Sequence, residues 1–286
     1  MLKKSSFIIL AVLLISNIFT WIVVYNLNQP QSLKVVFFDV GQGDSFLIKT
    51  HLGHYILIDG GQDKAVLEKL SKEIPFHHKE IDLMILTHGH ADHLNGLMEV
   101  LDHYQVNAIL WNGVGLENNL VNQWQRKIEN KNVKIAQSGQ RIKAEDFHLD
   151  VLYPFEPLKE NKDLNLTSIV LRLVYKDKKF LFTGDIYQSV EKELVDKKNF
   201  CLDKEEEIKC RGMELESNVL KVAHHGSKTS TEKFFIEEVN PQIAVISAGL
   251  NNRFNHPHPE TLETLLNYGI RVERTDLEGD IKIVVK

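Results

Sequence analysis

With 286 residues, 43% of them apolar, the chain can bury one large core or two small ones, and wholesale disorder is excluded. Its formal charge is −5; residues 31–286 carry all 39 acidic side chains and 32 of the 34 basic ones, a balance of −7. That acidity argues against a general nucleic-acid binder, although composition does not say where a local basic patch could sit.

The first predicted element runs from Phe7 to Tyr25, nineteen residues without a charge. At 1.5 Å per residue such a helix covers about 29 Å, enough for a bilayer core of about 30 Å. A transmembrane anchor at 7–25 is therefore expected, after a short N-terminus (1–6) and before a linker (26–33). A cleaved signal is the alternative, but the run is longer than the usual core of about 7 to 15 residues and YNLNQPQ offers no small-x-small site. Lys3 and Lys4 precede the run and the next basic residue is Lys34. This asymmetry predicts a single-pass protein of the inner membrane, its N-terminus cytoplasmic and its domain, 34–286, on the extracytoplasmic side.

From residue 34 onward, short apolar runs end repeatedly in Gly, Asp or His. Lys34–Val40 and Tyr55–Asp59 read as strands followed by glycine-rich turns. Val66, Leu67, Leu70 and Ile74 recur at helical spacing; IDLMILTH returns to a strand and HLNGLMEVLDHY to a helix. VNAILW, VKIAQ and HLDVLYP are further strands, with a helical segment around 123–129. SIVLRLVY and KKFLFTGD form a strand pair joined by KDKK. VLKVAHHG, IAVISAG, RVERTD and IKIVV complete the strands, with helices at STEKFFIEEV and HPETLETLLNYG. The pattern predicts an α/β protein of two sheets with helices outside them, a four-layer αββα sandwich without a legible internal repeat. A charged insertion at about 189–217 reads as a helix at 189–197 followed by a surface excursion. It contains both cysteines, Cys201 and Cys210, either a small disulfide loop if exported or two free thiols.

LTHGHADHLNG places His88, His90, Asp92 and His93 where a buried strand breaks into a turn and helix. His88 and His90 can face one ion, Asp92 and His93 a second. Asp185, ending KKFLFTGD, can bridge the two, and His225, in AHHG, supplies a further imidazole. His224 is expected to point elsewhere if strand alternation persists, into a supporting or substrate role. Imidazole and carboxylate donors suit two divalent transition metal ions, Zn or Mn, better than Ca. Such a pair activates water for hydrolysis. Asp59, ending YILID, can orient an imidazole through its second nitrogen. Asp39, Gln42 and Asp44 lie on a Gly-rich turn expected at the rim; without a P-loop lysine it does not read as an ATP site. Lys228 can stabilise phosphate charge, and His256 or His258, around a proline, can protonate a leaving group or touch substrate.

THGHADH, with LIDGG, FTGD and AHHG in that order, resembles the metallo-beta-lactamase superfamily. FFDVGQGDSFLI, HHGSKTST, ISAGLNNRFNHPHPETL and RTDLEGDIKI are similar to the hydrolase domain of the competence protein ComEC/Rec2 group, over about residues 34–286. The resemblance implies the αββα sandwich, one or two metals at the top edge of the sheets, and a phosphodiesterase or nuclease acting on DNA during its uptake. The superfamily's histidine between the first motif and the bridging aspartate has no counterpart, since that interval holds only His103 and His148, neither at a strand end. The group instead carries polar residues near NLTS, matching Asn165 and Ser168. Group members usually attach this domain to a multi-helix channel, which implies a separate membrane channel as partner here. An envelope or small-molecule phosphodiesterase and a non-catalytic, membrane-tethered metal-binding or interaction module are the alternatives. Antibiotic hydrolysis fits poorly, because Asp185 stands where a cysteine-type ligand is common.

Overall fold

The computed structural model describes residues 4–27, 32–115, 119–144, 147–158, 163–202 and 210–286. The linker at 26–33 and the charged insertion at 189–217 fall partly outside these. The chain divides into two units, one of residues 1–32 with Lys286 and one of Leu33–Val285. The first contains helix α1, Lys4–Leu27, whose segment Ser6–Val24 is long and apolar enough to cross a membrane. Thr20 within it donates its hydroxyl to the carbonyl of Ser16 at 2.9 Å, keeping that polar group satisfied inside the helix.

The second unit is built from two seven-stranded sheets. The first is ordered β14 (Ile281–Val285), β1 (Leu33–Phe37), β2 (Phe46–Lys49), β3 (Tyr55–Ile58), β4 (Glu80–Leu86), β5 (Gln105–Trp111), β6 (Val133–Ile135). The second is ordered β13 (Arg271–Arg274), β12 (Ile243–Ile246), β11 (Val219–Lys221), β10 (Lys178–Phe182), β9 (Val170–Tyr175), β8 (Phe147–Tyr153), β7 (Arg141–Ala144). Read from β14 and from β7 respectively, each sheet makes three antiparallel pairings and then three parallel ones.

The helices occupy matching connections. In the first sheet α2 (Ala65–Glu73), α3 (Ala91–His103) and α4 (Asn119–Ile128) link the parallel strands; in the second α5 (Gln188–Leu202), α6 (Lys233–Val239) and α7 (Pro259–Asn267) do so. One plan is used twice without any sequence repeat. Two strands, β2 and β7, go unread in the sequence because each is short and carries charge at its end or centre.

The strands explain the layers. In β1, Val35 and Phe37 point to the core between the sheets, while Val36 points with α2 and α3 into the outer core. Both faces are covered, so apolar residues follow one another without a break from Val35 to Phe37. The second sheet does the same with Phe180 and Phe182 inside and Leu181 outside against α5 and α6. Four layers result, α, β, β and α, as expected. Helix α5 extends to Leu202, beyond the expected end at 197, because Cys201 is buried and bonded to Cys210, itself buried in the same outer core. Closing so short a loop contributes roughly 2–3 kcal/mol in the chain-entropy account.

Glu191 of α5 is buried and accepts the backbone N–H groups of Thr231 and Glu232, at 2.5 and 3.1 Å, just before α6. Burial, opposed by those two hydrogen bonds, pushes its carboxyl up to about 7. A group protonated more readily when folded favours folding below its unfolded value, near 4.5, and loses that contribution as pH rises through 7. The effect amounts to roughly 3 kcal/mol. Urea denaturation of Glu191→Gln is thus expected to show a shallower loss of stability than the wild type between pH 5 and 8. Parallel profiles would place the titration elsewhere.

Candidate metal centre

Every candidate ligand follows the carboxyl end of a parallel strand, the edge where open α/β sheets place their ligands. After β3 the chain turns at Asp59, with φ of 56°. Its buried carboxylate accepts the N–H and hydroxyl of Thr87 at 2.8 and 2.7 Å and faces Nδ1 of His93 at 2.8 Å. Asp59 therefore braces the turn after β4 and the first turn of α3 from behind. It does not line the cleft; its contact with His93 is the imidazole-orienting one read from the sequence.

The Gly-rich loop after β1 packs on the same turn. Asp44 N–H donates to Asp92 O at 3.2 Å, and a Cβ on Gly43, where φ is +129°, would lie 2.2 Å from that oxygen. The loop is thus a backbone support that only glycine permits.

From the second sheet, β10 ends in Thr183, Gly184 and Asp185. Asp185 N–H donates to Ser168 Oγ at 3.1 Å. Ser168 is fully buried and sits behind the aspartate, away from the rim. Strand β11 stops at Lys221, so strand alternation does not reach the two histidines that follow. His224 (φ 51°, ψ 44°) and His225 (φ 55°, ψ 26°) are both left-handed, a conformation costing roughly 1–2 kcal/mol for each residue with a Cβ. That backbone turns both rings into the cleft, correcting the expectation that His224 points elsewhere. Strain concentrated at two adjacent histidines marks a site whose geometry is held by its surroundings.

The side chains converge on one atom. Oδ2 of Asp185 lies 3.3 Å from Nε2 of His93, 3.2 Å from Nε2 of His225 and 4.0 Å from Nε2 of His88; His225 Nε2 is 3.4 Å from Oδ2 of Asp92. Tetrahedral donors about 2.1 Å from an ion stand about 3.4 Å apart, so these spacings fit a metal. Nε2 of His93, Nε2 of His225 and Oδ1 of Asp185 are buried without a hydrogen bond. Each inward Nε2 has its Nδ1 held from behind: His93 by Asp59, His225 by Ser247 O at 2.9 Å, His88 by Thr87 Oγ1 at 3.1 Å. This is how metal-binding imidazoles are fixed.

Of four overlapping potential donor groups among the described residues, two are free of Asp44: His88 with His93 and Asp185, and Asp92 with His93 and His225. His93 belongs to both, where the sequence suggested that His88 and His90 would make one pair and Asp92 and His93 another. His90 turns its Nδ1 onto Nε2 of His88 at 3.0 Å and joins neither group. Asn165 lines the cleft, donating to Tyr187 Oη at 2.9 Å while its Oδ1, buried and unpartnered, remains available.

The electrostatics call for cations. Burial pushes His93 and His225 down, but the carboxylates of Asp185 and Asp59 around the first, and of Asp185 and Asp44 around the second, hold both well above the usual imidazole range. Burial would raise Asp185 and Asp92, and the same two imidazoles keep both well below the usual carboxylate range. His88, buried and beside His93, is held well below its ordinary value and stays neutral. Mixed imidazole and carboxylate donors fit divalent transition ions.

Beneath the donors lies a residue that the sequence did not single out. Lys221 is fully buried, pairs with Asp44, donates to Gly184 O at 2.9 Å and stands 3.6 Å from Oδ1 of Asp185. Asp44 is therefore a buried counter-ion, not a rim group. The signal was the run VLKVA, a lysine inside a strand apolar on both faces. Asp39 accepts Gly41 N–H at 3.2 Å within its turn and does not line the cleft, whereas Gln42 does.

The cleft above the donors has a volume of about 610 Å³ and is walled on the far side by Asn252, Arg253, Phe254 and His256. Lys228 is exposed outside it, its N–H donating to Nδ1 of His258 at 3.1 Å; neither residue lines the cleft. Burial, then the nearby imidazoles, push His256 down to about 4. It is neutral at pH 7, which suits contact with substrate, the second of the parts expected of it or His258, better than protonation of a leaving group.

A model of the metallo-beta-lactamase superfamily matches residues 38–249, and the chain belongs to that superfamily. Within it the protein is ComEC/Rec2-like. It is 32% identical over 269 residues to the ComE operon protein 3 of Bacillus subtilis (strain 168), a match covering 87% of this chain and 32% of that protein. It is 27% identical over 270 residues to Recombination protein 2 of Haemophilus influenzae, covering 93% and 30%. The chain spans about a third of the length of these relatives. The metallo-beta-lactamase fold protein YhfI of Bacillus subtilis shares the fold, with a TM-score of 0.57 at 14% identity, covering 88% of this chain and 100% of that one.

Proposed function

We propose that this chain is a metal-dependent phosphodiesterase that cleaves nucleic acid, DNA first among its substrates, and that α1 anchors it in a membrane with the hydrolase domain on the extracytoplasmic side. The observation that carries the reading is the convergence of three imidazoles on Oδ2 of Asp185, with Asp92 against His225, at the floor of an open cleft. Similarity to competence and recombination proteins supports nucleic acid over other phosphodiesters. The Cys201–Cys210 disulfide supports export, since such bonds persist in oxidising compartments.

His88, Asp92, His93, Asp185 and His225 would hold two divalent ions, Zn or Mn. Bound there, they would supply an activated water and neutralise phosphoryl charge. The protein's own groups do the rest. Asp59, Ser247 and Thr87 keep the imidazoles aimed inward. His224, held by Thr229 Oγ1 at 3.2 Å, and Asn165 stand ready to bond substrate oxygens beside the ions.

The test is turnover of bis(p-nitrophenyl) phosphate, single- and double-stranded DNA and RNA by the purified protein supplemented with Mn or Zn. Metal-dependent cleavage of DNA is expected. Turnover confined to the small ester would remove nucleic acid from the reading; no turnover at any pH with either metal would remove phosphodiester hydrolysis altogether.

A further inference from the structure

The loop after β12 is shaped by one side chain. Oδ1 of Asn252 accepts the N–H groups of Phe254 and His256 at 3.1 and 3.0 Å, and its Nδ2 donates to the carbonyls of Gly249 and His256 at 2.9 and 2.6 Å. Held by these four bonds, Phe254 is presented on the cleft wall with 43% of its surface exposed.

The ring is also aligned. His225 and His256 are stacked at 6.3 Å between centroids and 29° between planes; His256 and Phe254 follow at 5.6 Å and 23°. A run of nearly parallel rings thus leads from a candidate metal donor out to the mouth of the cleft. The guanidinium of Arg253 lies 4.7 Å from the Phe254 centroid. Arg253 is exposed, forms no ion pair among the described residues, and is the only Lys or Arg in the cleft lining. An aromatic ring with an exposed planar cation over it, above an acidic floor, suits a ligand that joins a flat ring to an anion. A nucleobase next to its phosphodiester is such a ligand, and stacking on aromatic or guanidinium planes is how unpaired bases are held.

We infer that Phe254 and Arg253, backed by His256, form a base-stacking subsite, so that the cleft takes a single strand with an unpaired base beside the scissile phosphate. A duplex, its bases already stacked on each other, cannot use it. The inference rests on the phosphodiesterase reading, and its test separates the two.

The 286-residue chain in detergent, with Mn, is assayed on a fluorescent single-stranded oligonucleotide, its duplex, and an abasic strand of equal length and charge. Binding of the same strands is followed by anisotropy in chelator, which reads the subsite without turnover. Phe254→Ala is expected to raise KM and Kd for the base-bearing strand about tenfold, the size of one stacked base, with kcat little changed and the abasic strand unaffected. Phe254→Tyr is expected to behave as the wild type. Equal weakening for the base-bearing and abasic strands, or wild-type binding that ignores the bases, would overturn the subsite. Base-dependent binding without cleavage of any strand would uphold it while the phosphodiesterase reading fails.

Discussion

Asp185→Asn is expected to remove metal binding and activity together while leaving the fold in place. The wild type, given Mn or Zn at about a hundred times its Kd, should gain about 2.7 kcal/mol of stability from the ion, seen as a rise in melting temperature. The variant should show no such rise, and kcat/KM should fall by about a thousandfold, the loss of several kcal/mol of charge stabilisation. The reason is geometric: among the described residues, Oδ2 of Asp185 is the one carboxylate oxygen within 4.0 Å of His88, His93 and His225 alike. Circular dichroism would confirm folding. A variant that still takes up two equivalents of metal would show that the donor set lies elsewhere.

Lys221→Met should act on stability before it acts on anything else. Its ammonium is fully buried against the buried carboxylate of Asp44, and removing one partner of such a pair costs about 3–5 kcal/mol. Because the cost comes from the stranded charge, Lys221→Met with Asp44→Leu should lose less than the two single changes added together. Chemical denaturation of the four proteins measures this coupling. Strict additivity would mean that Asp44 finds another partner when Lys221 is gone.

The sequence made the layers and most donors legible for one physical reason. Strands covered on both faces are mostly apolar runs, and a His or Asp just past the end of such a run has no fold-forming reason to be there. His88, Asp185 and His225 stand out in this way, and His93, in the first turn of α3, by its place in the same histidine cluster. What stayed hidden depends on contacts between distant segments or on backbone that departs from the local rule. Nothing near residue 44 says that its carboxylate meets Lys221. His224 turns inward only because β11 ends at Lys221 and two histidines adopt left-handed angles. His256 and His258 look alike in NHPHPE, yet one lines the cleft and the other braces a neighbouring loop. The duplicated plan of the two sheets is equally silent, because packing constrains which positions are apolar, not which apolar residue fills them.

That duplicated plan has a consequence for how the protein fails. His88, Asp92 and His93 hang from one sheet, Asp185 and His225 from the other, so neither half owns a complete donor set. Directly below, Phe37 and Phe46 of the first sheet meet Phe182 of the second at centroid distances of 6.0 and 5.6 Å. Those rings are the seam on which the sheets would slip. A slip of about an ångström, too small to unfold anything, would pull the donors out of register. Loss of ion affinity, not loss of structure, is then the first symptom of a loosened core, and damage to the aromatic seam would register as a metal deficiency.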